Sequence, residues 1–256
     1  MTTPAMQRWL VLRLEAPLLS FGAVAIDQRG VIWDFPALSM LTGLFANALG
    51  WERTDRAEHQ ALQDRIVFAA RRDDEPYLGV FTDVQNARLE KSDRGWTTRG
   101  APEGRDGGSY GGPHRRFRDY HPDALVAVVV TLAGPDLRSP SLPDLAAALD
   151  RPQRPLFIGR KPCLPAARLN AGFLEAETAH AALTLLPPLG RPSERAVGPH
   201  HRAQWPAGES PKDGAMVERG RALADRRNWI SGLHGGTRHV VEGHVTPAQA
   251  PQGAPA

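Results

Sequence analysis

Ala124-Leu-Val-Ala-Val-Val-Val-Thr-Leu132 is the stretch on which the fold turns. Its β-branched side chains are stiff about χ1 and favour extended backbone. A strand with one wet face alternates apolar and polar residues. This one is apolar throughout, so both of its faces must be covered and the strand must be central. With Ala133 it is the longest apolar run in the chain, about half of the ~20 residues needed to cross a bilayer.

Outward from this strand the chain reads as alternating elements. Trp9 to Leu14 predicts a buried opening strand, followed by an irregular stretch from Glu15 to Phe35. A helix is expected from Pro36, because Leu38, Leu41, Leu44, Phe45, Ala48 and Leu49 share one helical stripe and Gly50 stands where a left-handed C-terminal cap belongs. A second short helix is expected over Asp55 to Asp64, then strands over Ile66 to Ala70 and Tyr77 to Asp83. After the central strand, Ser141 caps a helix running to Leu149, with Asp144 in its first turn, and Pro155 to Ile158 reads as a short strand. The order strand, helix, strand, strand, helix, strand is that of an α+β, ferredoxin-like or RNA-recognition-motif-like domain. The expected divisions are a domain over 1–190, a loop-rich C-terminal β appendage over 191–245 and a disordered tail over 246–256. Short strand signals at Asn228 to Ile230 and Arg238 to Val241 flank Gly235 and Gly236 in the appendage.

Between Val84 and Asp119 the aliphatic residues almost vanish and glycines crowd in. No packed core can be built from such a segment, so it reads as a long insertion that is functional or disordered. From Arg88 to Arg118 it carries eight basic and four acidic residues, with Trp96, Tyr110 and Phe117 interspersed. Guanidinium groups meet phosphates while rings stack on bases, so this mixture suits an arm that touches nucleic acid; a solvated loop with incidental charge is the alternative.

Charge over the whole chain is less informative. The 256 residues carry a formal net charge of only +3. Of the 31 basic residues 28 are Arg, the exceptions being Lys91, Lys161 and Lys212. Arg suits phosphate and base stacking, but a GC-rich coding sequence explains the same bias. The single cysteine, Cys163, cannot form an internal disulfide or a Cys-rich zinc site. Arg8, Arg13 and Glu15 interrupt any N-terminal signal segment, so a soluble cytoplasmic protein without membrane association is expected.

The familiar catalytic signatures are missing. There is no Walker loop, dinucleotide fingerprint, His-Glu-x-x-His pair or Gly-x-Ser-x-Gly elbow, and the Gly107 to Gly112 segment is not followed by a helix. His200 with His201, and His234 with His239, lack metal-ligand spacing, so neither a metal nor another cofactor is expected. One enzymatic option survives: a metal-independent ribonuclease could take a base and a cation from Tyr110, His114, Lys91 and the adjacent arginines. No fixed set of supporting residues surrounds His114 and Tyr110 in the sequence, which favours reading them as plain RNA contacts or solvent-facing loop residues.

Several blocks, in order, resemble one family. Trp9 to Leu14 with Pro17, Ser20, Phe21 and Gly22 is similar to the opening of the CRISPR-associated CasD family, the fifth Cas protein of type I-E Cascade. Arg29, Pro36, Ser39, Leu41, Gly43, Leu44 and Asn47 to Gly50 resemble its next segment, and Phe68 to Arg71 its following strand. Arg118-Asp119-Tyr120 before Asp123-Ala124 resembles its approach to the central strand. Pro155 to Pro165, with Gly159-Arg160-Lys161 and Cys163, is close to its signature, and Arg227-Asn228-Trp229 resembles its ending. The chain departs from the pattern at Ala16, Phe21, Val31, Ala37 and Pro162.

The resemblance implies an RNA-recognition-motif-like domain with a protruding thumb, onto which 84–119 maps. It further implies a non-catalytic subunit that caps the 5′ handle of the guide RNA in Cascade during antiviral defence. The implied partners are the guide RNA, the backbone subunits, the large subunit and, through the complex, target DNA. In a related subtype the equivalent protein is itself the ribonuclease, which keeps repeat-RNA processing as the alternative. The implied RNA contacts fall on Ser20, Phe21, Gly22, Arg29, Ser39, Arg94, Arg99, Tyr110, His114, Arg115, Arg116, Arg118, Arg160 and Lys161. Phe21 offers a ring for stacking, Gly22 lets backbone approach a nucleotide, and Arg29, together with Ser39 at a helix start, can hold a phosphate.

Overall fold

The computed structural model describes residues 6–23, 25, 28–75, 79–87, 95–96, 102–103, 114–134, 139–190, 199–209 and 216–249. In chain order the elements are β1 (Gln7–Leu19), β2 (Arg29–Gly30), α1 (Leu38–Leu49), α2 (Arg56–Arg65), β3 (Ile66–Asp74) and β4 (Phe81–Ala87). They continue as β5 (Gly95–Trp96), β6 (Pro102–Glu103), β7 (His114–Leu132), α3 (Leu142–Asp150), β8 (Asn170–Ala176) and α4 (Ala179–Leu185), then β9 (His201–Pro206), β10 (Met216–Leu223) and β11 (Arg238–Val245).

The apolar run is central, as its composition requires. It forms the C-terminal half of β7, flanked antiparallel by β1 and β3, with Leu10 and Phe68 both opposite Val130. The sheet runs β10-β11-β9-β3-β7-β1-β8, and among the described residues β5 and β6 form a separate two-stranded pair. Because side chains alternate across a strand, consecutive apolar residues feed two cores. Leu10, Leu12, Leu14, Phe68, Val126, Val128 and Val130 pack with α1 and α3 on one face. Trp9, Val11, Ala69, Ala127 and Val129 pack with α4 and Trp205 on the other.

The helix signals act locally as expected. Gly50 adopts φ +82° at the end of α1, a left-handed conformation that costs glycine little. Ser141 and Asp144 close a reciprocal capping box at the start of α3. On β3, Arg71 is fully buried and satisfied. It forks onto Asp73 (2.5 and 2.9 Å) and donates to the carbonyls of Leu183, Leu186 and Pro187, capping the C-terminal end of α4 from the neighbouring strand.

Five expectations need correction. The irregular stretch begins later than Glu15, since β1 continues to Leu19 opposite His121. The strand expected over Tyr77–Asp83 starts at Phe81, and Pro76–Leu78 lie outside the described residues. Pro155–Ile158 is not a strand. It is an irregular loop closed by Ile158 N–H to Cys163 O (2.7 Å) and Cys163 N–H to Arg160 O (2.9 Å), apolar because Leu156 and Ile158 fill the core; the strand beside β1 is β8. Asn228–Ile230 belongs to a turn bridged by Arg227 and His234. The region after Gly190 is not a separate hairpin: β9 pairs with β3, and β11 and β10 extend the same sheet. In the tail, 250–256 lie outside the described residues, and Ala248 N–H donates to Thr184 O.

Candidate nucleic-acid interface

β7 changes character at Asp123, which takes φ +48°. An Asp tolerates this left-handed conformation better than a bulky residue would, and here it separates the apolar half of the strand from its basic half. His114–Tyr120 extends past β1 and β3 and pairs instead with β4 on one side and β2 on the other. Arg118 lies between Asp83 of β4 and Gly30 of β2, and Phe117 between Val84 and Arg29.

Alternation gives this ribbon two faces. Arg115, Phe117 and Asp119 share one, with the Arg29 guanidinium over the Phe117 ring at 5.0 Å. Arg116, Arg118 and Tyr120 share the other, with the Arg160 guanidinium over the Tyr120 ring at 5.0 Å. Both faces therefore pair cations with an aromatic ring. Arg115 and Arg116 are exposed. Arg118 and Arg160 are braces: Arg118 donates to Phe117 O (3.1 Å), and Arg160 donates to Asp119 O and Gly30 O (2.8 Å each). Lys161, next to that brace, is exposed.

Arg160 also joins the ribbon to a cavity of about 320 Å³. One wall is the exposed face of α1, with Gly43 and Asn47; a second is Ser20 and Gly22 with the Gly159–Arg160 loop; the third is Arg227, Trp229 and His234. The loop can lie this close to Ser20 only because residue 159 is glycine. It has φ +88°, and a Cβ there would stand 1.7 Å from Ser20 O.

The expected site residues divide accordingly. Arg29, Arg115, Arg116, Arg118, Arg160 and Lys161 gather at the ribbon root, while Ser20, Gly22 and Ser39 border the cavity. Phe21 offers no ring for stacking: it is fully buried, 5.7 Å from the His121 ring. The start of α1 is not open to a phosphate. Asp225 occupies it, its carboxylate accepting from Leu38 N–H (3.1 Å) and its carbonyl from Ser39 N–H (3.0 Å). An internal anion thus takes the place that the helix dipole offers. Arg94, Arg99 and Tyr110 lie outside the described residues, as does the side chain of His114. The wall from Arg227 to His234 escaped the sequence reading as a site, although Arg227-Asn228-Trp229 stood out as a block.

Two groups near the sheet are held off their ordinary protonation. Burial, and secondarily the Arg72 charge, lowers the pKa of His121, whose Nε2 lies 2.9 Å from Trp33 O. Burial likewise raises that of the Cys163 thiol, which suits a structural rather than a reactive cysteine. Among the described residues no group of three or more His, Cys, Asp or Glu is placed to hold a metal ion, and no helix is long and apolar enough to cross a membrane.

Fold and site together define an α+β protein that carries arginines and aromatic rings on a ribbon extending past its sheet. The family described as CRISPR-associated protein (Cas_Cas5) matches residues 9–241, and the chain belongs to that family. It is 26% identical over 227 residues to the CRISPR system Cascade subunit CasD of Escherichia coli (strain K12), covering 88% of this chain and 96% of the relative. Among solved structures, a chain of a CRISPR RNA-guided surveillance complex superposes with a TM-score of 0.66 at 22% identity, over 95% of each chain. A second, a Cas protein crystal structure, gives 0.57 at 23% identity over 96% of this chain and all of the other.

Proposed function

We propose that this chain is a non-catalytic subunit of a Cascade-type CRISPR surveillance complex, binding the 5′ handle of the guide RNA. The carrying observation is the two-faced ribbon root, where Arg29, Arg115 and Phe117 lie on one side and Arg116, Arg118 and Tyr120 on the other. The exposed Arg115 and Arg116 on opposite faces let an RNA backbone be gripped across the ribbon, and the half-buried Phe117 ring offers a base an edge to stack on, whereas Tyr120 is buried and anchors the ribbon to the core. The strand order β8-β1-β7-β3, with α1 joining β1 to β3 and α3 joining β7 to β8, supports reading the core as ferredoxin-like. In this reading Arg94, Arg99, Tyr110 and His114 belong to the thumb that crosses the RNA. Backbone and large subunits dock around it, target DNA is reached through the complex, and the assembly works in the cytoplasm.

Tagging the chain in its native cells, purifying what accompanies it and sequencing the RNA ends tests this directly. The expected result is short RNAs sharing one repeat-derived 5′ tag, together with other protein subunits. RNA with random ends and no partner proteins would overturn it. Incubating the purified chain with repeat RNA in chelator-containing buffer tests the non-catalytic part. The RNA is expected to stay intact; cleavage that is lost in His114→Ala or Tyr110→Phe would make the chain a metal-independent ribonuclease instead.

A further inference from the structure

The ribbon has few ties to the core at its root. β3 leaves β7 at Leu125 and β1 leaves it at His121, so His114–Tyr120 depends on β4 and β2. Among the described residues β4 pairs with β7 alone, and a two-stranded hairpin is marginal by itself. β2 supplies just Arg29 and Gly30, a parallel ladder too short to fix the direction of a strand.

Arg160 makes up for this. One terminal nitrogen donates to Asp119 O on the ribbon and the other to Gly30 O on β2, 2.8 Å each, and the guanidinium lies over the buried Tyr120 ring at 5.0 Å. Hydrogen bonds from a charged donor are stronger than neutral ones, and a planar fork can reach two strands at once. The loop from which Arg160 reaches is itself fixed. Its carbonyl accepts from Cys163 N–H (2.9 Å), Ile158 N–H donates to Cys163 O (2.7 Å), and both Ile158 and Cys163 are fully buried. Room for the fork comes from Gly30, where a Cβ would stand 2.7 Å from Arg160 Nη2 and 3.1 Å from Arg118 Cδ.

With both terminal nitrogens committed to backbone carbonyls, Arg160 is placed for a different task from the exposed Arg115 and Arg116. We propose that Arg160 is a positioning residue for RNA binding: it sets the direction in which the ribbon carries Arg115 and Arg116 away from the core, and it grips no phosphate itself. This inference rests on the RNA-binding reading and takes Arg160 out of the contacts that the family resemblance implies. Cations fixed before RNA arrives lose little freedom on binding, whereas a ribbon free to swing must be ordered at that moment.

Three variants of the full chain separate positioning from contact. Arg160→Lys keeps the charge and loses the fork. Gly30→Ala keeps every charge and displaces the fork with one methyl group, whose nearest neighbours are the side chains of Arg160 and Arg118. Arg160→Gln removes the charge. Two quantities are read: amide hydrogen exchange at Phe117, whose N–H donates to Gln28 O (3.0 Å) at the ribbon root, and affinity for oligoadenylate RNA at several salt concentrations, well below the unfolding transition. All three variants are expected to exchange faster than the wild type at Phe117 and to bind RNA about fivefold more weakly or worse. Arg160→Gln is expected to keep the wild-type slope of log affinity against log salt, because no phosphate contact is lost. A merely structural Arg160 would lower the urea midpoint and leave the affinity of the folded chain alone. Wild-type affinity in Arg160→Lys, or a slope reduced by about one in Arg160→Gln, would make Arg160 a phosphate contact and overturn the proposal. Unchanged exchange at Phe117 in all three variants would overturn it too, although the ribbon reading would stand. If the wild type binds no RNA, the RNA reading fails and the positioning role falls with it.

Discussion

Gly159 admits no side chain. An alanine there would combine the strain of φ +88° with a Cβ 1.7 Å from Ser20 O, so the loop must move or the strand must yield. Gly159→Ala is expected to cost about 3 kcal/mol or more, read as a lowered midpoint in urea unfolding. His121 makes a different prediction. It is buried against Phe21 and within 2.9 Å of Trp33 O, and its folded pKa lies below the ordinary 6.5. The unfolded chain therefore takes up a proton near 6.5 that the folded chain still refuses. Stability is full above that value and declines as pH falls from it toward the folded pKa. His180, lowered by burial, acts in the same direction. The melting temperature is expected to fall between about pH 7 and about pH 5, and His121→Gln to flatten the decline.

Among the elements, α2 does more than cover the core. Its Gln63 receives Arg227 N–H and Trp229 Nε1–H (3.1 Å each) and donates to Arg227 O, holding the C-terminal turn beside α1. Gln63→Ala removes all three bonds and is expected to cost about 2–3 kcal/mol in urea unfolding. Elements with strong local signatures were legible in sequence: the apolar half of β7, the stripe of α1 ending at Gly50, and the Ser141–Asp144 box of α3. Those whose polarity is set by position were not. β10 is an edge strand, and its Glu218, Arg219 and Arg221 look like loop until Arg219 and Arg221 are seen paired with Glu242 across the strands. Pro155–Ile158 misled in the opposite sense, since a buried loop is as apolar as a strand. The ribbon arginines could be read from charge, because they are close together in sequence. The cavity could not, because Ser20, Gly43 and Trp229 meet only after folding.

At the scale of the whole molecule, a net charge of +3 conceals a strong local field at the ribbon root. Affinity for RNA is expected to fall steeply with salt, and Arg115→Ala or Arg116→Ala each to reduce the slope of log affinity against log salt by about one, measured by titration at several ionic strengths. These losses should be nearly independent of base identity, because the exposed guanidinium groups meet phosphate rather than base edges. The three walls of the cavity beside the ribbon come from 20–47, 157–160 and 227–234, nearly the length of the chain, and the ribbon root too is complete only when Arg160 reaches Asp119 O and Gly30 O. A polypeptide released early from the ribosome would therefore carry Arg115, Arg116 and Arg118 without the brace that fixes their ribbon and without the last wall of the cavity.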